Sequence, residues 1–166
     1  YEVYAEGSTD VSYVVDSQTE DYAADFTIKD TGAQDWMIQL KQNNISLEEG
    51  QWYRLSLKAK SDMNRKLMVA LQRDGSSDDD WTPYSGSKTV DLTDEYQSIV
   101  VEFKMKNKSD PRTILSISMG AVGDVQIKQQ HRICIDDIIL EKIDAPKVDE
   151  TESDVNLIKN ADFSEG

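Results

Sequence analysis

From residue 52 the chain runs WYRLSLKAK, with Tyr53, Leu55, Leu57 and Ala59 on one parity and Trp52, Arg54, Ser56, Lys58 and Lys60 on the other. Strict alternation marks a half-buried antiparallel strand, because successive side chains point to opposite faces. The same period of two fits residues 10–16, 22–28, 36–42, 66–73, 96–104, 114–119 and 132–140. Turn signals punctuate these stretches: Asp30-Thr31-Gly32, Glu49-Gly50, Asp74-Gly75-Ser76, Asp110-Pro111 and the glycines at 120 and 123. No window of about eleven residues sustains an apolar face at helical spacing. Eight or more strands with short turns and no helix predict an all-β fold, a two-sheet antiparallel β-sandwich of jelly-roll type. The body is expected to cover residues 1–143. Residues 144–155 (DAPKVDETESDV) are acidic, have no period and contain Pro146, which reads as an exposed linker. Residues 156–166 (NLIKNADFSEG) then begin another strand-like stretch, with Leu157, Ala161 and Phe163 on one side.

Composition narrows the partners. A length of 166 residues suits one domain with a substantial core. Acidic residues number 32 against 18 Lys plus Arg, a formal net charge of -14, which repels nucleic acid and anionic membranes. Apolar runs are too short to span a bilayer. No leader pattern begins at Tyr1, so a secretion signal is expected to lie outside this sequence. A single cysteine, Cys134, permits no internal disulfide, thiolate metal cluster or redox pair. The acidic, disulfide-free surface is similar to that of bacterial secreted modules, and an extracellular location is expected.

Beside this periodicity stands an ordered set of short motifs. WMIQL from Trp36, LEEGQWY from Leu47, LSLKAK from Leu55 and ICIDDIIL from Ile133 follow one another in the order seen in carbohydrate-binding modules of the family 4, 16 and 22 type. The resemblance covers roughly residues 1–143. In that family the opening strand resembles N-L-(I/V)-x-N-G-D-F and precedes a W-x-x-Y segment. Here YEVY from Tyr1 stands in the place of the second piece, and the first appears only at Asn156. The segment 156–166 is therefore a permuted opening strand, a strand exchanged between molecules, or the start of a following module. An extended linker of about a dozen residues reaches about 36 Å, enough to cross a domain of this size.

The resemblance implies a groove on one sheet that holds an extended sugar chain. Period two proposes which residues face outward: Met37, Gln39, Lys41 and Asn43 opposite Ile38 and Leu40; Met68, Ala70 and Gln72 opposite Leu67, Val69 and Leu71; Ser116 and Ser118 opposite Leu115, Ile117 and Met119. Amides, hydroxyls and small apolar patches suit a sugar, whereas an anion would need clustered Arg or Lys, which the sequence does not present. Tyr4 and Tyr84 align with groove tyrosines of the family, and Trp81 joins Tyr84 in the loop WTPY. Such rings pack against the C–H face of a pyranose. The alternative is that Tyr4 and Tyr84 cap the core and that Gln39 and Gln72 are solvated. Trp36 has core parity and is expected to pack inward; Trp52 is expected on the convex face.

Alternation in RICIDDIIL places Cys134, Asp136, Ile138 and Leu140 together and Asp137 opposite. A carboxylate on an apolar side is costly unless it is paired or metal-bound. The family resemblance implies a structural calcium held by Asp136, by the turn that contains Asp162 and Ser164, and by Glu20 or Asp21, although the family often carries Glu where this chain has Ser164. A carboxylate bonded to backbone N–H groups is the plainer alternative, and Asp78-Asp79-Asp80 reads as a solvated loop. Catalysis has little support. His131 is the only histidine, Cys134 suits a small core position, and no P-loop, G-x-G-x-x-G or H-E-x-x-H occurs. No pair of acids is singled out for glycoside hydrolysis. The expectation is a non-catalytic module that binds polysaccharide or oligosaccharide, β-glucan or glucomannan before xylan, beside a covalently linked glycoside hydrolase. An adhesion or spacer module is the competing class.

Two outcomes test these expectations. If residues 156–166 complete the sheet, ending the chain at Ile143 removes several kcal/mol of stability and lowers the melting temperature; equal melting temperatures for the two chains exclude that role. If calcium is structural, a chelator lowers the melting temperature and added calcium restores it by mass action. A melting curve indifferent to both leaves Asp136 a hydrogen-bonded carboxylate.

Overall fold

A computed structural model of the chain describes residues 1–16 and 23–146. Ten strands form among them: β1 (Glu2–Ala5), β2 (Asp10–Asp16), β3 (Ala23–Asp30), β4 (Ile38–Leu47), β5 (Trp52–Ser61), β6 (Arg65–Gln72), β7 (Lys88–Leu92), β8 (Gln97–Lys104), β9 (Asp110–Ser118) and β10 (His131–Ile143). A short 3₁₀ turn, Asp35–Met37, leads into β4, and no α-helix occurs among the described residues. The strands make two antiparallel five-stranded sheets, ordered β1-β4-β9-β6-β7 and β2-β3-β10-β5-β8. This is the jelly-roll sandwich that the alternation predicts. The stretches read as linker and opening strand (144–155 and 156–166) lie outside the described residues from position 147 onward, as do Glu20 and Asp21.

The inward parities meet as expected. Leu55, Leu57 and Ala59 of β5, Leu67, Val69 and Leu71 of β6, Leu115 and Ile117 of β9, and Ile133 and Ile135 of β10 are all nearly inaccessible. Burying each large aliphatic side chain contributes about 1.5–3 kcal/mol. Tyr53 stacks on Phe103 at 5.7 Å between centroids, and its hydroxyl oxygen accepts from the Glu48 N–H at 2.8 Å, which closes the β4–β5 turn.

Four features depart from the sequence reading. β1 and β7 are strands too short for alternation to reveal. Asp110-Pro111 is the start of β9 rather than a turn. Trp36, given core parity, is 45% exposed, because the 3₁₀ turn breaks the strand geometry that parity assumes. That turn is held against Gly120, whose N–H donates to the Asp35 carbonyl at 3.0 Å; a Cβ there would lie 2.2 Å from the Gln34 carbonyl oxygen. The fourth departure is in β10, where a bulge falls between Asp136 and Ile139, with Asp137 at φ +53°. Ile133 and Ile135 point inward before it, and Ile138 and Leu140 pack against the core after it. Cys134 and Asp136 therefore face outward. Simple alternation from Cys134 to Leu140 fails because the bulge adds a residue and resets the phase.

One buried polar device ties the sheets together. Arg65, at the start of β6 and 6% exposed, donates through Nη2 to the carbonyls of Met119 and Gly120, each at 2.8 Å. Its Nη1 lies 2.8 Å from Nε2 of His131, the first residue of β10 in the opposite sheet. His131 Nδ1 lies 2.8 Å from the Gln129 carbonyl. Since a guanidinium only donates, the proton sits on Nδ1 and Nε2 accepts from Arg65. Burial lowers Arg65 to about 10, still charged at neutral pH.

Two expected outcomes follow from this pair. Burial, and then the Arg65 charge, holds the His131 pKa below its ordinary 6.5. The unfolded chain thus takes up the proton first, so the stability is complete above about pH 6.5 and is lost as pH falls. Denaturant unfolding between about pH 7.5 and 5.5 is expected to show this loss, and His131→Gln to flatten it. A pH slope unchanged in that variant would place the titration elsewhere. Arg65→Leu leaves the Met119 carbonyl and a ring nitrogen without their donor and is expected to cost about 3 kcal/mol or more.

Candidate functional site

On the outer face of the β1-β4-β9-β6-β7 sheet, register sets Tyr4 opposite Gln39, Gln39 opposite Ser118, Ser118 opposite Met68 and Met68 opposite Thr89. Two residues along each strand lies a second row, Glu2, Lys41, Ser116 and Ala70. The middle strands thus present small side chains, with Ser116 and Ser118 at 2% exposure and Ala70 at 4%, between longer ones on either side. Because side chains on one face repeat every second residue, the sequence fixes this composition once the register is set.

Gln39 Nε2 donates to Ser116 Oγ at 2.9 Å and to Ser118 Oγ at 3.2 Å. With its amide hydrogens engaged by the two serines, the Gln39 carbonyl oxygen is the acceptor that remains. Tyr4 is 38% exposed. Its hydroxyl donates to Glu6, the main cause that raises the phenol pKa above its usual value. Lys41 Nζ sits 5.7 Å from the centroid of the Tyr4 ring. Asn43 donates to Glu2 across the β1 edge, and Asn44 beside it has φ +59° where β4 bulges.

The structure therefore brings Tyr4, Gln39, Lys41 and Ser118 together, with Asn43 adjoining them. Gln72 lies on the same face at the far end of β6, opposite Ile114 and bridged to Pro83. Trp81 is on the loop that follows, 39% exposed, with its indole N–H donating to Asp79 Oδ1 at 3.0 Å. The aspartate run is more structured than a solvated loop: Asp78 holds Arg73 in a two-pronged ion pair at 2.6 and 2.8 Å, and Asp80 accepts from Thr82 Oγ1 at 2.6 Å. The Arg73 contact keeps the Asp78 carboxyl below its usual range. Tyr84 turns away from this face. It packs against the core, and its hydroxyl donates to Asp110 Oδ2 at 2.7 Å; burial and then Asp110 push its pKa up to about 12. Met68, Ala70 and Ser116 were legible as outward-facing without being singled out. Thr89 went unnoticed because β7 is only five residues long.

The proposed calcium ligands gain no site within the described residues. Asp136 Oδ1 accepts from the Asp137 N–H at 2.8 Å, and Lys58 is opposite it in register. No group of three carboxylate, histidine or cysteine side chains among the described residues is placed to hold a metal. The remaining candidates (Glu20, Asp162 and Ser164) lie outside the described residues. Cys134, expected in the core, instead donates to Asp25 Oδ1 at 2.7 Å, and burial with this bond raises its pKa to about 11, so the thiol stays protonated.

Sheet order, outward amides and hydroxyls, and the motif succession converge on one class. Residues 3–125 match the family described as carbohydrate binding domain, and the chain belongs to that family. A solved structure described as "CBM4 structure and function" superposes with a TM-score of 0.68 at 26% identity, covering 85% of each chain. The N-terminal cellulose-binding domain of Cellulomonas fimi β-1,4-glucanase C gives 0.59 at 16% identity, covering 86% of this chain and 88% of that one. The CBM22-1 xylan-binding domain of Paenibacillus barcinonensis Xyn10C gives 0.52 at 12%, covering 86% of each. No curated protein matches the chain. The family and fold are those of non-catalytic modules that bind polysaccharides.

Proposed function

We propose that the face carrying Tyr4, Gln39, Lys41 and Ser118 is a groove that holds one extended β-linked polysaccharide chain, a β-glucan or glucomannan in preference to xylan. The observation that carries this reading is the continuous row Tyr4–Gln39–Ser118–Met68–Thr89 across all five strands, with small residues in its middle. A sugar presents C–H surface on its ring faces and hydroxyls at its edges. Tyr4 and Met68 offer the apolar counterpart, and the Gln39 carbonyl with the Lys41 ammonium offers an acceptor and a donor. The two serines hold the Gln39 amide in place before a ligand arrives, which reduces the ordering cost of binding. A neutral chain also suits a protein of net charge -14, since it meets no long-range repulsion. In this reading the module acts outside the cell and keeps a linked glycoside hydrolase near its substrate, as the glucanase and Xyn10C origins of two matched domains suggest.

Affinity electrophoresis against cellulose derivatives, glucomannan, mixed-linkage glucan and xylan is expected to retard the chain on at least one gluco- or mannan polymer. Tyr4→Ala is expected to weaken oligosaccharide binding by about 1–2 kcal/mol, roughly 5- to 30-fold, and to leave the melting temperature unchanged, since the side-chain partners of this exposed ring are the surface groups Glu6 and Lys41. Calorimetry showing full affinity in both Tyr4→Ala and Gln39→Ala would remove this face from the binding site.

A further inference from the structure

At one end of the sandwich, beyond β6 and β9, a cavity of about 450 Å³ opens between the loop after β6 and the turn before β9. That volume falls within the range of small-ligand sites, about 300–1,000 Å³. Its walls include Arg73, Tyr84, Asn107, Lys108, Asp110 and Arg112. Folding thus brings Arg73 beside Lys108 and Arg112, which belong to the basic stretch that also holds Lys104 and Lys106. The cavity opens beyond the end of the face described above, and none of its walls belongs to the row Tyr4–Gln39–Ser118–Met68–Thr89.

The cations do not make an anion site. Arg73 is engaged by Asp78, and Arg112 lies 3.2 Å from Asp74. The Asp110 carboxylate already accepts from Tyr84 at 2.7 Å, and its other oxygen accepts from the Arg112 N–H at 2.8 Å. With charges so matched, a ligand carboxylate or sulfate meets as much repulsion as attraction. Each Asp110 carboxylate oxygen nevertheless accepts only one of these bonds, and each guanidinium keeps an N–H beyond those named. The side chains of Asn107 and Lys108 have no hydrogen-bond or ion-pair partner among the described residues and add donors. A wall of alternating donors and acceptors, with one tyrosine ring, complements vicinal hydroxyls, each of which donates and accepts at once.

We infer that this cavity is a second carbohydrate site, which takes a single neutral pyranose unit presented as a chain end or as a branch. The inference rests on the family's carbohydrate binding and not on the proposed groove. Titration of ¹⁵N-labelled protein with cellotetraose, a linear chain, and with xyloglucan heptasaccharide, a branched one, tests it. The backbone amides of Asp74, Thr82, Asn107 and Arg112 are expected to shift saturably, with a dissociation constant different from that of the Tyr4, Gln39 and Ser118 amides. A response to the linear sugar assigns a chain end; a response to the branched sugar alone assigns a branch. The double variant Asn107→Ala/Lys108→Ala, whose side chains hold nothing in the fold, is expected to weaken the cavity constant tenfold or more and to change the other by less than twofold. Cavity amides that stay silent with both sugars while the groove amides respond overturn the inference and leave the groove reading intact. The reverse pattern upholds the inference and removes the groove. Shifts produced by glucuronate alone overturn the assignment to a neutral sugar.

Discussion

The sandwich is organised around a buried guanidinium. Arg65 stands where β6 enters the core and pairs with no carboxylate among the described residues; it is satisfied by two carbonyls at the end of β9 and by a histidine in the other sheet. A buried charge is tolerable only if nearly every donor has a partner, so this residue fixes two backbone carbonyls and one side chain at once. Those positions flank the Met119–Gly120 corner, against which the 3₁₀ turn before β4 rests. The relative placement of β4, β6 and β9, and with it the row that crosses them, depends on that contact. A hydrophobic residue of similar volume would fill the space but would not specify the corner.

The fold was largely legible because period two survives in the long strands. Where Tyr53 to Ala59 alternate without interruption, parity gives both the strand and its buried face. It failed wherever the backbone left the extended state. The 3₁₀ turn at Trp36, the bulge at Asn43 and Asn44, and the bulge after Asp136 each add or rotate a residue; Asn44 and Asp137 are types that tolerate a positive φ, a signal that alternation alone does not use. Short strands failed for a different reason: four or five residues do not hold enough alternation to stand out from a loop.

The candidate site was legible to the extent that it follows from parity. Gln39, Lys41 and Ser118 were placed correctly relative to one another because they sit on adjacent long strands with continuous register. Tyr84 and Trp81 lie on a loop, where orientation depends on tertiary contacts such as the Asp110 carboxylate, and no local pattern shows these. The approach of Arg73 to Lys108 and Arg112 was invisible for the same reason, since only the closure of the sandwich end brings the two loops together.

The bulge in β10 has a consequence for how this strand tolerates change in length. Between Asp136 and Ile139 the chain advances three residues while β5 advances two, from Lys58 to Ser56. Omitting one residue there would restore an even count and leave Ile133, Ile135, Ile138 and Leu140 all facing inward. If the residue is Asp137, its carboxylate contact with Lys58 at 3.5 Å and its N–H bond to Asp136 Oδ1 go with it. Anywhere else in the strand a one-residue deletion would turn every later side chain inside out. The bulge is therefore the one point along β10 where a residue can be lost without reassigning the two faces of the sheet.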